Sequence, residues 1–130
     1  MKNNLLLTIT SLLSILLLIF HLADDIVRGF EPGKVSNLIA VPICVLWLYA
    51  TLVLAGRRSS YIIILLLSLL GMLVPVIHMM GRGVGAGSRI AGSHGAFFFV
   101  WTLLAVGVTS LFSVILSLQG LWSLPWRRQR

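Results

Sequence analysis

Charged side chains and cysteine are scarce in this sequence. The 130 residues include ten Lys and Arg, three Asp and Glu and one cysteine, whereas 58% are hydrophobic. Soluble domains carry about 25% charged residues, and a chain of this size buries only part of its apolar surface. The shortage of charge therefore excludes a soluble globular domain. The lone Cys44 excludes an internal disulfide and a paired-cysteine zinc site, and it is interpreted as a packing residue.

The sequence also lacks the short motifs that mark common enzymes and cofactor sites. It contains no catalytic-triad pattern, no nucleotide-binding P-loop, no Cys–His nucleophile pair and no CxxCH haem-attachment motif. These absences favour a non-catalytic protein without excluding an enzyme. They leave the cofactor unassigned, and haem is disfavoured because the histidines are predicted near one membrane surface.

Four uncharged stretches are long enough for a helix to cross the hydrocarbon core of a membrane, which takes about 20 residues. Their apolar runs are continuous, unlike the alternating strands of a membrane barrel. We therefore predict an all-α membrane protein, with residues 1–130 forming one domain of four transmembrane helices in an antiparallel up-down bundle. The predicted spans are residues 5–23, 35–56, 59–81 and 96–119.

Charge placement predicts the orientation of this bundle. Alternating the spans puts all acidic residues on one side with four basic residues, and the other six basic residues opposite. By the positive-inside rule, both termini are expected in the cytoplasm, and a bacterial inner membrane is the expected location. Basic residues at membrane edges meet anionic lipid, so the net charge of +7 does not indicate nucleic-acid binding. The more basic side carries Lys2, Arg57, Arg58, Arg127, Arg128 and Arg130.

The first span resembles a secretory signal peptide, because Lys2 and two asparagines precede a leucine run. A cut after Ala23 would need a small residue two positions earlier, where His21 stands. We expect the span to be retained.

The stretch FHLADDIVRG, residues 20–29, interrupts the apolar pattern with four polar side chains. They are spaced i, i+3, i+4 and i+7, so they share one face if the helix of span one continues. The other two histidines of the chain are predicted at the same membrane level. The pattern predicts an outward-facing site for a ligand or a proton relay. Its candidate residues are His21, Asp24, Asp25, Arg28, His78 and His94.

Imidazole and carboxylate groups are ligands of divalent transition metals. The candidate metal ligands are His21, Asp25, His78 and His94. A separation above about 10 Å between the rings of His21 and His78 would exclude a shared ion, since metal–nitrogen bonds are about 2 Å long. The same groups can relay protons, with Asp25 as the partner of His21.

A purely structural interpretation stays open for each of these residues. Asp24 and Arg28 are spaced for an ordinary helix-surface salt bridge. His78 is placed to bond a carbonyl freed by Pro75, which removes the helix bond to the carbonyl of Gly71. His94 is equally compatible with a loop in water.

Residues 81–95, GRGVGAGSRIAGSHG, hold six of the twelve glycines. This outer loop is expected to be a flexible linker or a mobile lid. Gly71 and Pro75 are the predicted hinge of span three, just below it.

Two functions are compatible with the sequence. The first is a membrane protein that binds a cation or a proton-linked small solute at the His/Asp site. The alternative is a non-catalytic accessory or assembly subunit of a larger membrane complex, whose polar residues are solvated and unpaired. Small residues along the spans favour packing within the bundle, with a homo-oligomer as the alternative. The expected partner is the lipid bilayer.

Overall fold

The computed structural model describes residues 2–29, 35–80 and 93–124. Within them the chain forms four α-helices and one short 3₁₀ helix, and the helices pack as a bundle, so the predicted all-α class is confirmed. The helices are α1 (Lys2–Val27), α2 (Ala40–Leu52), α3 (Arg58–Met80) and α4 (Ala96–Ser123), and the 3₁₀ helix is Val35–Ile39.

Helices α1 and α3 run in the same direction, and α4 runs against both. The Tyr61 hydroxyl donates to Asn4 Oδ1 where α1 and α3 begin, and the side chains of His21 and His78 meet where they end. Ser14 of α1 bonds Thr109 of α4 at 3.0 Å and His21 lies 3.1 Å from Thr102, which places the end of α1 beside the beginning of α4. We call the end of the bundle that holds the two histidines the histidine end, and the other the Asn4 end.

Helix α2 is attached to the bundle at the Asn4 end. The Trp47 indole donates to Ser11 Oγ at 2.8 Å, Ser11 Oγ bonds Thr51 Oγ1 at 2.7 Å, and Ser60 Oγ donates to the Ala50 carbonyl at 2.7 Å. These contacts hold the end of α2 against α1 and α3. Towards the histidine end, α1 and α2 diverge around an apolar groove of about 460 Å³.

The second predicted span is shorter as an α-helix than the sequence pattern indicated. Three helices are long and apolar enough to cross a membrane, and this segment contributes the shorter apolar helix Asn37–Leu52. This segment starts as a 3₁₀ helix. Pro42 has no N–H, so it cannot donate the α-helical hydrogen bond to the carbonyl four residues before it. Gly56 ends the segment with a φ of 78°. The 3₁₀ and α-helical parts together rise about 30 Å, so a fourth crossing stays a prediction.

The bundle buries many hydroxyl side chains. Serine and threonine share its interior with hydrophobic residues such as Trp47 and Phe99, whereas most leucines and isoleucines are exposed. In lipid, helices associate through small residues that let their backbones approach and through hydrogen bonds between helices. The buried hydroxyl residues are Ser11, Ser14, Thr51, Ser60, Ser68, Thr102, Ser110, Ser113 and Ser117. This distribution supports contact of the outer surface with a lipid bilayer.

The two predicted hinge residues lie where α3 and α4 pack closely. A side chain at Gly71 would collide with Ser110, and the Pro75 ring lies 2.9 Å from where a side chain at Gly107 would begin. Helix α3 continues through Pro75 to Met80. Packing therefore accounts for both residues, and hinge motion stays a prediction. The predicted glycine-rich loop lies outside the described residues, except for Ser93–Gly95.

Candidate functional site

The polar stretch at the histidine end is helical as far as Val27, so residues spaced i, i+4 lie on the same face of α1 as predicted. Helix α1 extends to Val27, which places His21 and Asp25 one above the other on the face that packs into the bundle. Both are buried, with 1% of His21 and 5% of Asp25 exposed. A buried ionisable pair in a helical membrane protein is a candidate functional site.

Helix α3 brings His78 to the same point. The Nε2 atoms of His21 and His78 lie 3.3 Å apart, and Asp25 Oδ2 lies 3.1 Å from His78 Nε2 and 3.7 Å from His21 Nε2. The two ring centroids are 4.8 Å apart, well inside the limit of about 10 Å for a shared metal ion. Three of the four predicted metal ligands therefore form one group.

The main chain of α3 determines which nitrogen of His78 carries the proton. His78 Nδ1 lies 2.8 Å from the Val74 carbonyl oxygen. A carbonyl can only accept a hydrogen bond, so Nδ1 donates and, in the neutral ring, Nε2 carries a lone pair. The sequence interpretation placed His78 against the carbonyl of Gly71. The structure instead uses Val74, one helical turn before His78.

Helix α4 orients His21 in the same way. His21 Nδ1 lies 3.1 Å from Thr102 Oγ1, and that hydroxyl lies 3.0 Å from the carbonyls of both Phe98 and Phe99. A hydroxyl has one proton, which Thr102 directs to a carbonyl of its own helix. Thr102 therefore accepts a hydrogen bond from His21 Nδ1–H, and the lone pair of His21 Nε2 also faces the centre of the group.

Three electron-pair donors thus converge with no proton of their own between them. They are the two Nε2 atoms and Asp25 Oδ2. Asp25 Oδ1 is also buried and has no hydrogen-bond partner among the described residues. When both rings are neutral, the facing lone pairs repel and the unpaired buried carboxylate oxygen is costly, so a positive charge at the centre stabilises the group. The arrangement can bind a proton or a metal cation.

Asp24 and Arg28 lie outside this group and form the predicted salt bridge. Arg28 Nε donates to Asp24 Oδ2 at 2.7 Å. The same guanidinium donates to Ser93 Oγ at 3.0 Å and to the main-chain carbonyl of His94 at 3.2 Å. The His94 residue is exposed, and its carbonyl, not its ring, takes part. Arg28 therefore links the end of α1 to the residues just before α4.

Phe99 contacts both Arg28 and the two histidines. Its ring is fully buried, with its centroid 4.9 Å from that of His21 and 5.9 Å from that of His78. The Arg28 guanidinium carbon lies 5.6 Å from the same centroid. One aromatic ring thus contacts the group and the Arg28 guanidinium.

Sequence reasoning missed Thr102 and Phe99. Both lie in the apolar run AFFFVWT, where neither is distinctive. A signal was present for Thr102, because antiparallel packing of spans one and four brings the start of span four to the level of His21. A lone hydroxyl at that level is a candidate partner for an imidazole.

The fold and the apolar helices define an integral membrane protein with a buried His21/Asp25/His78 group. No protein-family model, curated protein or solved structure matches the chain.

Proposed function

We propose that this small polytopic membrane protein binds a divalent transition-metal ion through His21 Nε2, His78 Nε2 and Asp25. The observation that carries the proposal is the convergence of these donors at separations of 3.1, 3.3 and 3.7 Å. Two ligands bound at about 2.0–2.1 Å in a tetrahedral site lie about 3.3 Å apart. The group therefore has the spacing of three ligands around one ion.

The donor types favour a transition metal over magnesium or calcium. Imidazole nitrogen suits Zn²⁺, Cu²⁺, Fe²⁺ and Ni²⁺, whereas Mg²⁺ and Ca²⁺ take oxygen ligands. The outer contacts agree, because metal-binding histidines usually donate their other N–H to an oxygen. His78 does so to the Val74 carbonyl and His21 does so to the Thr102 hydroxyl. Three protein ligands leave one tetrahedral position for water or another ligand.

The buried state of the group favours this function over an accessory or assembly role. The accessory hypothesis expects solvated and unpaired polar side chains. His21 and Asp25 are instead buried, and His21 Nδ1 is hydrogen-bonded to Thr102. The orientation that accompanies the proposal is the predicted one, with both termini in the cytoplasm of a bacterial cell and four crossings, so that the site faces outwards.

The test is metal titration of the purified full chain in detergent, after a chelator has stripped it. We expect one Zn²⁺ or Co²⁺ per chain, and intense visible absorption from Co²⁺ held in a tetrahedral site. His78→Ala should lower the affinity by more than the about 10–100-fold that loss of an outer contact costs. His94→Ala is the matched control and should bind normally, because the His94 residue is exposed.

Each alternative outcome counts against the proposal. Wild-type protein that binds no metal at stoichiometric concentration would leave a proton as the charge in the group. Equal losses in His78→Ala and His94→Ala would place the metal elsewhere. Circular dichroism and gel filtration identify a variant that has misfolded, and Asp25→Asn then provides a second removal of one ligand.

A further inference from the structure

We infer that Asp24 is the carboxylate through which the cation reaches and leaves the buried group, and that Arg28 competes with the cation for it. The inference rests on the proposed metal binding. It assigns a transient binding role to Asp24, which is not among the three converging ligands.

Position makes Asp24 suitable for this role. It precedes the ligand Asp25 in α1, near the end of the helix at Val27. Its side chain retains 15% exposure, compared with 7% for Asp25 and 2% for His21. Asp24 is therefore the carboxylate nearer the surface, and an arriving cation meets it first.

Arg28 occupies that carboxylate in the structure. The Nε atom bonds Asp24 Oδ2 at 2.7 Å, and the two terminal nitrogens reach Ser93 and the His94 carbonyl. A guanidinium across the end of α1 and the start of α4 repels a cation and blocks its path. The chain allows this close approach at Gly95, where an added Cβ would lie 3.0 Å from an Arg28 nitrogen.

Phe99 packs against Arg28 near the buried group. Its ring is fully buried and contacts the guanidinium as well as the two imidazoles. The ring face attracts the guanidinium, which holds Arg28 in the closed position. Displacement of Arg28 uncovers the ring and removes a positive charge from the path.

Exchange of cations at Asp24 lets the Arg28 guanidinium move away at small electrostatic cost. When a metal ion replaces the guanidinium on Asp24, the carboxylate stays paired throughout. The ion then passes to the adjacent Asp25 and the histidines, and Arg28 returns to Asp24. No bond other than coordination and hydrogen bonds changes in this sequence.

The experiment measures the association and dissociation rates of Co²⁺ by stopped-flow absorbance, with a chelator in excess for dissociation. Arg28→Gln should raise both rates roughly 5- to 30-fold, the factor expected from losing one charged hydrogen-bonded contact. The association rate should rise by the larger factor, because loss of the guanidinium also removes its repulsion of the bound cation. Asp24→Asn should slow association, because the carboxylate that an arriving cation meets first has lost its charge.

Arg57→Gln is the matched control, since it removes an exposed arginine at the Asn4 end, and its rates should equal those of the wild type. If Arg28→Gln does not fold, Ser93→Ala removes one Arg28 bond without changing charge and should raise both rates by a smaller factor.

The outcomes separate this inference from the metal site itself. Wild-type protein that binds no Co²⁺ refutes the proposed function. Wild-type binding with unchanged rates in both Arg28→Gln and Asp24→Asn refutes the role of Asp24 and Arg28 alone. A faster dissociation with unchanged association in Arg28→Gln also refutes it, because Arg28 would then only stabilise the bound state.

Discussion

His21 and His78, which are 57 residues apart in the sequence, direct their Nε2 atoms at each other across 3.3 Å in the interior of the bundle. Each ring donates its Nδ1 proton to an oxygen, of Thr102 for His21 and of Val74 for His78. The pair is therefore oriented before any ion arrives. Four predictions test this arrangement and the fold that supports it.

Metal should stabilise the folded protein. A ligand that binds only the folded state at 100 times its dissociation constant adds about 2.7 kcal/mol. We expect Zn²⁺ to raise the midpoint of thermal unfolding in detergent for the wild type and for His94→Ala, and not for His78→Ala. Identical shifts in all three proteins would indicate binding away from the group.

Thr102→Val should weaken metal binding without removing a ligand. The change keeps the shape of the side chain and deletes the hydroxyl that accepts from His21 Nδ1. Loss of such an outer contact costs about 10–100-fold in metal affinity. Thr102→Ser retains a hydroxyl and should restore most of the affinity. A normal titration curve for Thr102→Val would show that His21 needs no fixed orientation.

Gly120→Ala should destabilise the Asn4 end of the bundle. Gly120 is buried against Tyr61, and an added Cβ would collide with the tyrosine ring. Overpacking of this kind costs about 1–3 kcal/mol. Thermal unfolding measures the effect, with Ser123→Ala as the control at an exposed position of the same helix. Equal midpoints for the two variants would mean that α3 and α4 separate easily there.

Thiol labelling should show that the two ends of the bundle lie on opposite sides of the membrane. In a Cys44→Ala background, a cysteine replacing Arg57 should react from the cytoplasmic side and one replacing His94 from the outer side. Both positions are exposed in the structure. Reaction of both from the same side would refute the proposed topology, and the reverse pattern would refute the orientation.

The helical spacing allowed much of the site to be predicted locally. His21 with Asp25, and Asp24 with Arg28, are i,i+4 pairs, and both form the contacts that this spacing permits. His94 was grouped with them by membrane level alone. Level is a coarse guide, because it does not determine where on the bundle's circumference a side chain lies, and the His94 residue is exposed.

Some features of the fold could likewise be predicted more reliably than others. Spans one, three and four are long leucine- and isoleucine-rich runs, and each forms a helix long enough to cross a membrane. The α-helix of the second predicted span is shorter than the span, because hydropathy does not distinguish a 3₁₀ helix before Pro42 from an α-helix. Gly71 and Pro75 suggested motion, whereas close packing explains them without it.

The sequence by itself determined the lipid environment, the helical class and the local pairs along α1, because composition and a period of 3.6 residues act within one segment. Only the tertiary structure decided that His78 joins His21 and Asp25, and that Thr102 and Phe99 complete their surroundings. Those contacts depend on the rotation of α3 and α4 about their own axes. Packing between helices sets that rotation, and hydropathy carries no information about it.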